Sequence, residues 1–178
     1  MSSTKKQILK TVLAAMCLAL ALVLPFLTGQ IPRFGQMLCP MHIPVLLCGF
    51  LCGPIYGAAV GFVAPLLRFA LFGMPPMPAG LAMMFELATY GLAAGLIYKL
   101  LPKKPWAVYA SLLASMVAGR IVWAGARLVL LGLGKMPFSY AIFLSGALLD
   151  AIPGIILQIL LIPTLVLITH RVYPRLID

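Results

Sequence analysis

The stretch ILKTVLAAMCLALALVLPFL, from Ile8 to Leu27, holds about 20 residues and one charge, Lys10. An α-helix rises about 1.5 Å per residue, so this run reaches roughly 30 Å, the thickness of a bilayer's hydrocarbon core. It follows a basic start, MSSTKK, and so mimics a secretory signal. The apolar core of such a signal is shorter, about 7–15 residues, and ends at a small-x-small cleavage site. No such site precedes a hydrophilic region here. The run is therefore expected to be kept as a first transmembrane helix.

The rest of the chain supports lipid as its solvent. Of 178 residues, 63% are hydrophobic and 9% charged, where a soluble domain carries about 25% charged residues. The length predicts one membrane domain, 1–178, with no room beside it for a soluble catalytic or ATP-binding domain. No G-x-x-x-x-G-K-[ST] loop occurs, so any coupling to ATP has to come from another chain. The net charge of +10 sits largely at segment ends, as the positive-inside bias requires, rather than on a soluble basic face for nucleic acid. Cys17, Cys48 and Cys52 lie in apolar runs and are expected to act as small hydrophobes. Cys39 is expected near a membrane surface and exposed. No disulfide is predicted.

Turn residues and charges divide the chain into six spans. They run about Ile8–Leu27, Met41–Cys52, Ile55–Phe72, Leu81–Leu100, Trp106–Leu133 and Phe138–Thr169. The second is too short to cross upright unless the loop before it dips into the membrane. An even count puts both termini on one side, together with Lys5, Lys6, Lys10, Lys99, Lys103, Lys104, Arg171 and Arg175. The other side has Arg33 and Lys135. That imbalance predicts cytoplasmic termini. The fold expected is an all-α integral membrane protein, a six-helix transmembrane bundle with an outward-facing pocket. Its outer loops would be 28–40, 74–80 and 134–137, which are rich in Gly, Pro and Met.

Five ionisable residues fall within spans: Arg68, Glu86, Arg120, Arg127 and Asp150. A charge at the centre of a membrane helix costs roughly 2.5–3.5 kcal/mol on insertion scales, so such groups face protein or water. Arg120, Trp123 and Arg127 share one helical face at i, i+3 and i+7, as do Glu86 and Tyr90 at i and i+4. Most of these lie in the outward half, which points to a polar pocket floored by Arg120 and Asp150. Alternatively the charges only lock helices together, Arg120 with Asp150 and Glu86 with Arg68 or Arg127. Three cations against two anions leave one arginine over, and a bound carboxylate or phosphate would compensate it. His42, at the start of span 2, is expected to line the mouth. Its C-x-x-H spacing from Cys39 is weak as a metal signal, since no second pair follows at zinc-site spacing. Met74, Met77, Met83 and Met84 cluster around an outer loop, as a soft pocket wall or as lipid-facing packing.

Span 1 also carries Ala15-x-x-x-Ala19, a spacing that lets another helix approach closely. Further along stand HIPVLLCGFLCGPIYGAAVGF, the Pro-rich loop GMPPMPAG and FELATYGLAAGLIY. With these motifs the chain resembles, over nearly its whole length, the substrate-binding S components of energy-coupling factor (ECF) vitamin transporters. The resemblance implies that Ala15 and Ala19 form the patch that docks on a membrane coupling subunit, itself joined to two cytoplasmic ATPases. It implies that the S component topples in the membrane to carry its pocket inward, and that loops 28–40, 74–80 and 134–137 form pocket and lid. Cobalt and nickel members have a histidine at position 2, where this chain has Ser2. That argues against a metal substrate. A multi-pass protein of the bacterial cytoplasmic membrane, without a cofactor, is implied as well.

The expected function is capture of a small water-soluble, anionic vitamin or precursor, a pantothenate-like carboxylate fitting the arginine excess best. The substrate residues would be His42, Arg68, Glu86, Tyr90, Arg120, Trp123, Arg127 and Asp150. Pro40, Pro44, Gly49, Gly53 and Pro54 would shorten and bend span 2 to leave room for the cavity. The alternative is a self-contained, proton-coupled carrier using Glu86 and Asp150. An intramembrane enzyme is disfavoured, because no Ser/His, Asp/Asp or metal-binding constellation occurs at suitable depth.

Overall fold

The computed structural model describes residues 3–28, 38–77, 79–133 and 152–172. Six α-helices lie within them: α1 (Ser3–Val23), α2 (His42–Cys52), α3 (Pro54–Phe72), α4 (Ala79–Leu100), α5 (Pro105–Leu133) and α6 (Ile152–Val172). A 3-10 turn, Leu24–Thr28, continues α1. All except α2 are long and apolar enough to cross a membrane. No strand occurs among the described residues.

The helix ends follow local chemistry. α1 stops as an α-helix at Val23 because Pro25 disfavours helical geometry at the residue before it. α2 ends at Gly53, whose φ of 105° suits glycine alone, and Pro54 then occupies the first turn of α3, where a missing N–H costs nothing. Gly73, at φ 68°, closes α3 in the left-handed region. The PKKP segment separates α4 from α5. The expected starting residue of span 6, Phe138, lies outside the described residues.

The short helix is the centre of the bundle. α2 packs against α1, α3, α4 and α6, and nine of its eleven residues are buried. One face, Ile43, Leu46 and Phe50, joins a cluster with Tyr90, Tyr98, Leu112, Ile162 and Val166 from α4, α5 and α6. The other, Val45, Cys48 and Cys52, joins Ala14, Cys17 and Ala21 of α1 and Val60 and Ala64 of α3. An eleven-residue helix reaches about 16 Å, half a bilayer, and is tolerated at that depth because protein surrounds it on every side.

Glycines let the backbones touch. A Cβ on Gly57 would come within 2.6 Å of the Gly91 carbonyl oxygen, and one on Gly61 would strike the backbone of Leu87. Gly57 and Gly61, four residues apart, thus bring α3 directly against α4. The outer surface is the reverse of a soluble protein's: Ile8, Met16, Leu20, Phe62, Leu66, Leu96, Val117 and Ile121 are all exposed, as lipid contact requires.

The level of α2 sets the level of the site. From His42 to Cys52, and from Tyr90 to Leu100, ten residues span about 15 Å. Both segments end near the lysine-rich end of the bundle, where Cys52, Tyr98 and Lys99 line one cleft. His42 and Tyr90 are thus at one depth, and their rings meet at 5.2 Å between centroids. His42 does not sit at a mouth as expected. It is buried, 4% exposed, near mid-height.

Candidate functional site

At that level one carboxylate gathers the polar groups. Glu86, on the buried face of α4, is 2% exposed and is the chain's only acid within the described residues. Arg120 of α5 places Nη1 3.2 Å from its Oε1, and His42 of α2 places Nε2 3.6 Å from the same atom. One turn along α4, Tyr90 is buried on the same face as Glu86 and meets the His42 ring edge-on. Cys39, just before α2, is buried close to Arg120 and Glu86. Three helices thus supply one compact polar group in a region of low dielectric, where its mutual attractions are strong.

The ion pair is close but oblique. Glu86 Oε1 has no hydrogen bond of good direction among the described residues, and neither has Nδ1 nor Nε2 of His42. Both side chains are nearly inaccessible, so their unmet polar capacity is directed at the interior of the bundle. Such groups are costly unless something completes them.

α5 changes character along its length. Up to Met116 its inward residues, Ala107, Val108, Ser111, Leu112 and Ser115, are buried. Gly119 is buried too, and a Cβ there would meet the Tyr90 ring at 2.5 Å, so glycine admits the tyrosine. Beyond it the same face carries Arg120, Trp123 and Arg127, all only half-buried. The Trp123 ring has the Arg120 guanidinium 5.9 Å from its centroid and that of Arg127 at 5.4 Å, within cation–π range of both. The stripe read from the spacing is therefore a stacked guanidinium–indole–guanidinium ladder, rising about 10 Å from Glu86's partner toward the other end of the bundle. Nε of Arg127 is buried and has no hydrogen-bond partner among the described residues.

Arg68 is employed elsewhere. It is 3% exposed, and Nη1 donates to the Leu22 carbonyl at 2.5 Å. Its guanidinium also lies over the rings of Phe26, at 4.9 Å, and Phe72, at 5.5 Å, which themselves meet edge to face. The Leu22 carbonyl belongs to the last turn of α1, where helix carbonyls lack partners and a cation is favoured. This corrects the pairing read from the sequence. Glu86 pairs with Arg120 and His42, not with Arg68 or Arg127. The proposed Arg120–Asp150 pair lies outside the described residues, as does Asp150 itself.

One further expectation changes. Cys39 is buried, not exposed, and it belongs to the polar group around Arg120. Of the four methionines, Met84 is buried, Met74 and Met83 are half-buried and Met77 is exposed. All four cysteines are free thiols, and no three His, Cys, Asp or Glu side chains among the described residues are grouped to hold a metal ion. Sequence spacing did not reveal that Gly119 makes the seat for Tyr90; only the packing of α4 on α5 shows it.

A comparison with protein families matches residues 9–166 to the family described as "ECF transporter, substrate-specific component". Comparisons with curated proteins and with solved structures gave no match. The family match covers most of the chain and agrees with an all-helical bundle of membrane-length helices around a short central one. This multi-pass integral membrane protein belongs to the substrate-specific components of ECF transporters.

Proposed function

We propose that this chain captures a small, water-soluble, anionic vitamin or precursor, with a carboxylate such as that of a pantothenate-like molecule held by Arg127 and Arg120. The observation that carries the reading is the charge balance of the ladder. Glu86 is already committed to Arg120 and His42, while Arg127 keeps a buried, unpartnered Nε. A ligand carboxylate there would supply a charge-assisted bond where the protein's described residues offer none. Trp123 would support the ligand's body, and His42, Glu86 and Tyr90 would meet its polar end. Asp150 would complete the site, while Arg68 holds the bundle in shape.

In this reading the chain performs no chemistry. It sits in the bacterial cytoplasmic membrane with both termini inward, and the arginine ladder opens outward. Ala15 and Ala19 are exposed on α1, whereas Ala14, Cys17 and Ala21 are buried against α2 and α3. That leaves the small-residue patch free for a coupling subunit, which two cytoplasmic ATPases would drive. The test is uptake in cells expressing the chain with and without the coupling subunit and ATPases. Substrate accumulation only with the partners supports the reading. Accumulation by the chain alone, driven by a pH gradient, would establish a self-contained carrier instead.

A further inference from the structure

A cleft lies at the other end of the bundle from the ladder, where α2 turns into α3. It holds about 430 Å³ and opens to the surface between the start of α1, the Cys52–Pro54 turn and the end of α4. That volume is within the range of about 300–1,000 Å³ typical of small-molecule sites. Three lysines line it, Lys10, Lys99 and Lys103, together with Tyr56 and Tyr98. Among the described residues no carboxylate does. The nearest acid along α4, Glu86, is twelve residues from Tyr98, about 18 Å of helix.

The walls are built rather than incidental. Tyr98 is 3% exposed and packs edge to face on Phe50 at 5.3 Å. The Lys103 ammonium sits 4.1 Å from the Tyr98 ring centroid, which draws the charge onto the cleft wall. The Tyr56 hydroxyl lies 3.3 Å from Thr11 Oγ1, tying the opposite wall to α1. The first turn of α3 also opens here, and the amides of Ile55 and Tyr56 are among the first N–H groups, which a helix leaves without an intrahelical partner. At the rim the chemistry changes. Ile55, which lines the cleft, is 78% exposed on the apolar surface of the bundle.

A cleft basic within and apolar at its lip fits an amphiphile with a negative head. We infer that this cleft binds the phosphate headgroup of an anionic phospholipid. The phosphate lies among Lys10, Lys99 and Lys103, and the acyl chains leave past Ile55. Basic pockets between membrane helices recognise lipid phosphates by this combination of charge and depth. The site is separate from the arginine ladder and stands or falls independently of substrate capture.

The experiment places the full-length protein in nanodiscs of phosphatidylcholine doped with phosphatidylglycerol and exchanges it into detergent. Retained lipid is then counted by mass spectrometry. The wild type is expected to retain phosphatidylglycerol in preference to phosphatidylcholine. The Lys10→Gln/Lys99→Gln/Lys103→Gln variant is expected to lose that preference about a hundredfold, since each lysine near an anionic surface contributes about a fivefold effect. Lys99→Gln alone, an exposed change that leaves the packing intact, is expected to lose part of it and serves if the triple variant folds poorly. Equal retention by wild type and variants overturns the inference. Inorganic phosphate displacing the lipid as effectively as free phosphatidylglycerol also overturns it, and assigns the cleft to a soluble phosphate compound.

Discussion

Arg120 Nη1 stands 3.2 Å from Glu86 Oε1, joining α5 to α4 at the level where α2 begins. Glu86 is almost wholly buried, while the Arg120 side chain keeps 20% of its surface exposed. The pair therefore divides into an enclosed anion and a cation that faces partly toward Trp123 and Arg127. Glu86→Gln leaves Arg120 without its counter-charge and is expected to destabilise the protein by about 3 kcal/mol, the low end for a broken buried pair because of that exposure. Adding Arg120→Met should recover much of the loss. Thermal unfolding of both single variants and the double variant, read as a double-mutant cycle, measures the coupling. Additive losses would mean that the two side chains do not interact.

The contact of α3 with α4 depends on absent side chains. Gly91→Ala drives a methyl group into the backbone of Gly57, and overpacking of that kind costs about 1–3 kcal/mol or more where backbone has to move. Gly125, on α5, has nothing within 4 Å of the added Cβ. Gly125→Ala should leave stability unchanged or raise it by about 0.5–1 kcal/mol through helix propensity. Melting temperatures of the two variants in detergent are expected to move in opposite directions.

Arg68→Met removes the donor to Leu22 and both ring contacts. A hydrogen bond from a charged donor contributes about 1.5–3 kcal/mol, and the loss should loosen the C-terminal end of α1. Hydrogen exchange is expected to quicken at Leu22–Phe26 while substrate affinity changes by less than about twofold. A large loss of affinity with unchanged exchange would move Arg68 into the binding site.

On α1, neighbouring alanines have opposite environments. Ala15 is exposed and Ala14 is 7% exposed. Ala15→Trp should prevent assembly with the coupling subunit yet leave the isolated protein folded and able to bind. Ala14→Trp should instead unfold it, since the core has no space for an indole. Co-purification and melting temperature together distinguish the two outcomes.

Much of the bundle was legible in the sequence because helix ends are local events. Gly53-Pro54 and the PKKP segment stop helices whatever surrounds them, and the expected spans agree with α2, α3, α4 and α5 to within two residues. Spacing also placed Arg120, Trp123 and Arg127 on one face, and cation–π geometry bears that out. Partners were not legible. Helical rise gives a residue's depth, but the direction in which it points depends on how each helix is rotated against its neighbours. Arg68 thus had the right depth to meet Glu86, yet it turns toward α1. His42 was read as lining the mouth because it starts span 2. Its true level follows from the turn at Gly53, which holds the other end of α2 beside Tyr98 and Lys99.

The central claim is that the arginine ladder holds a ligand's negative charge. Its most direct test is native mass spectrometry of the freshly extracted protein beside its Arg127→Ala variant. Wild type is expected to carry a small acidic molecule, released on activation, and the variant to have lost at least about nine-tenths of it, as removal of a charge-assisted contact predicts. An equal load on both proteins, or a bound molecule without an acidic group, would contradict the account.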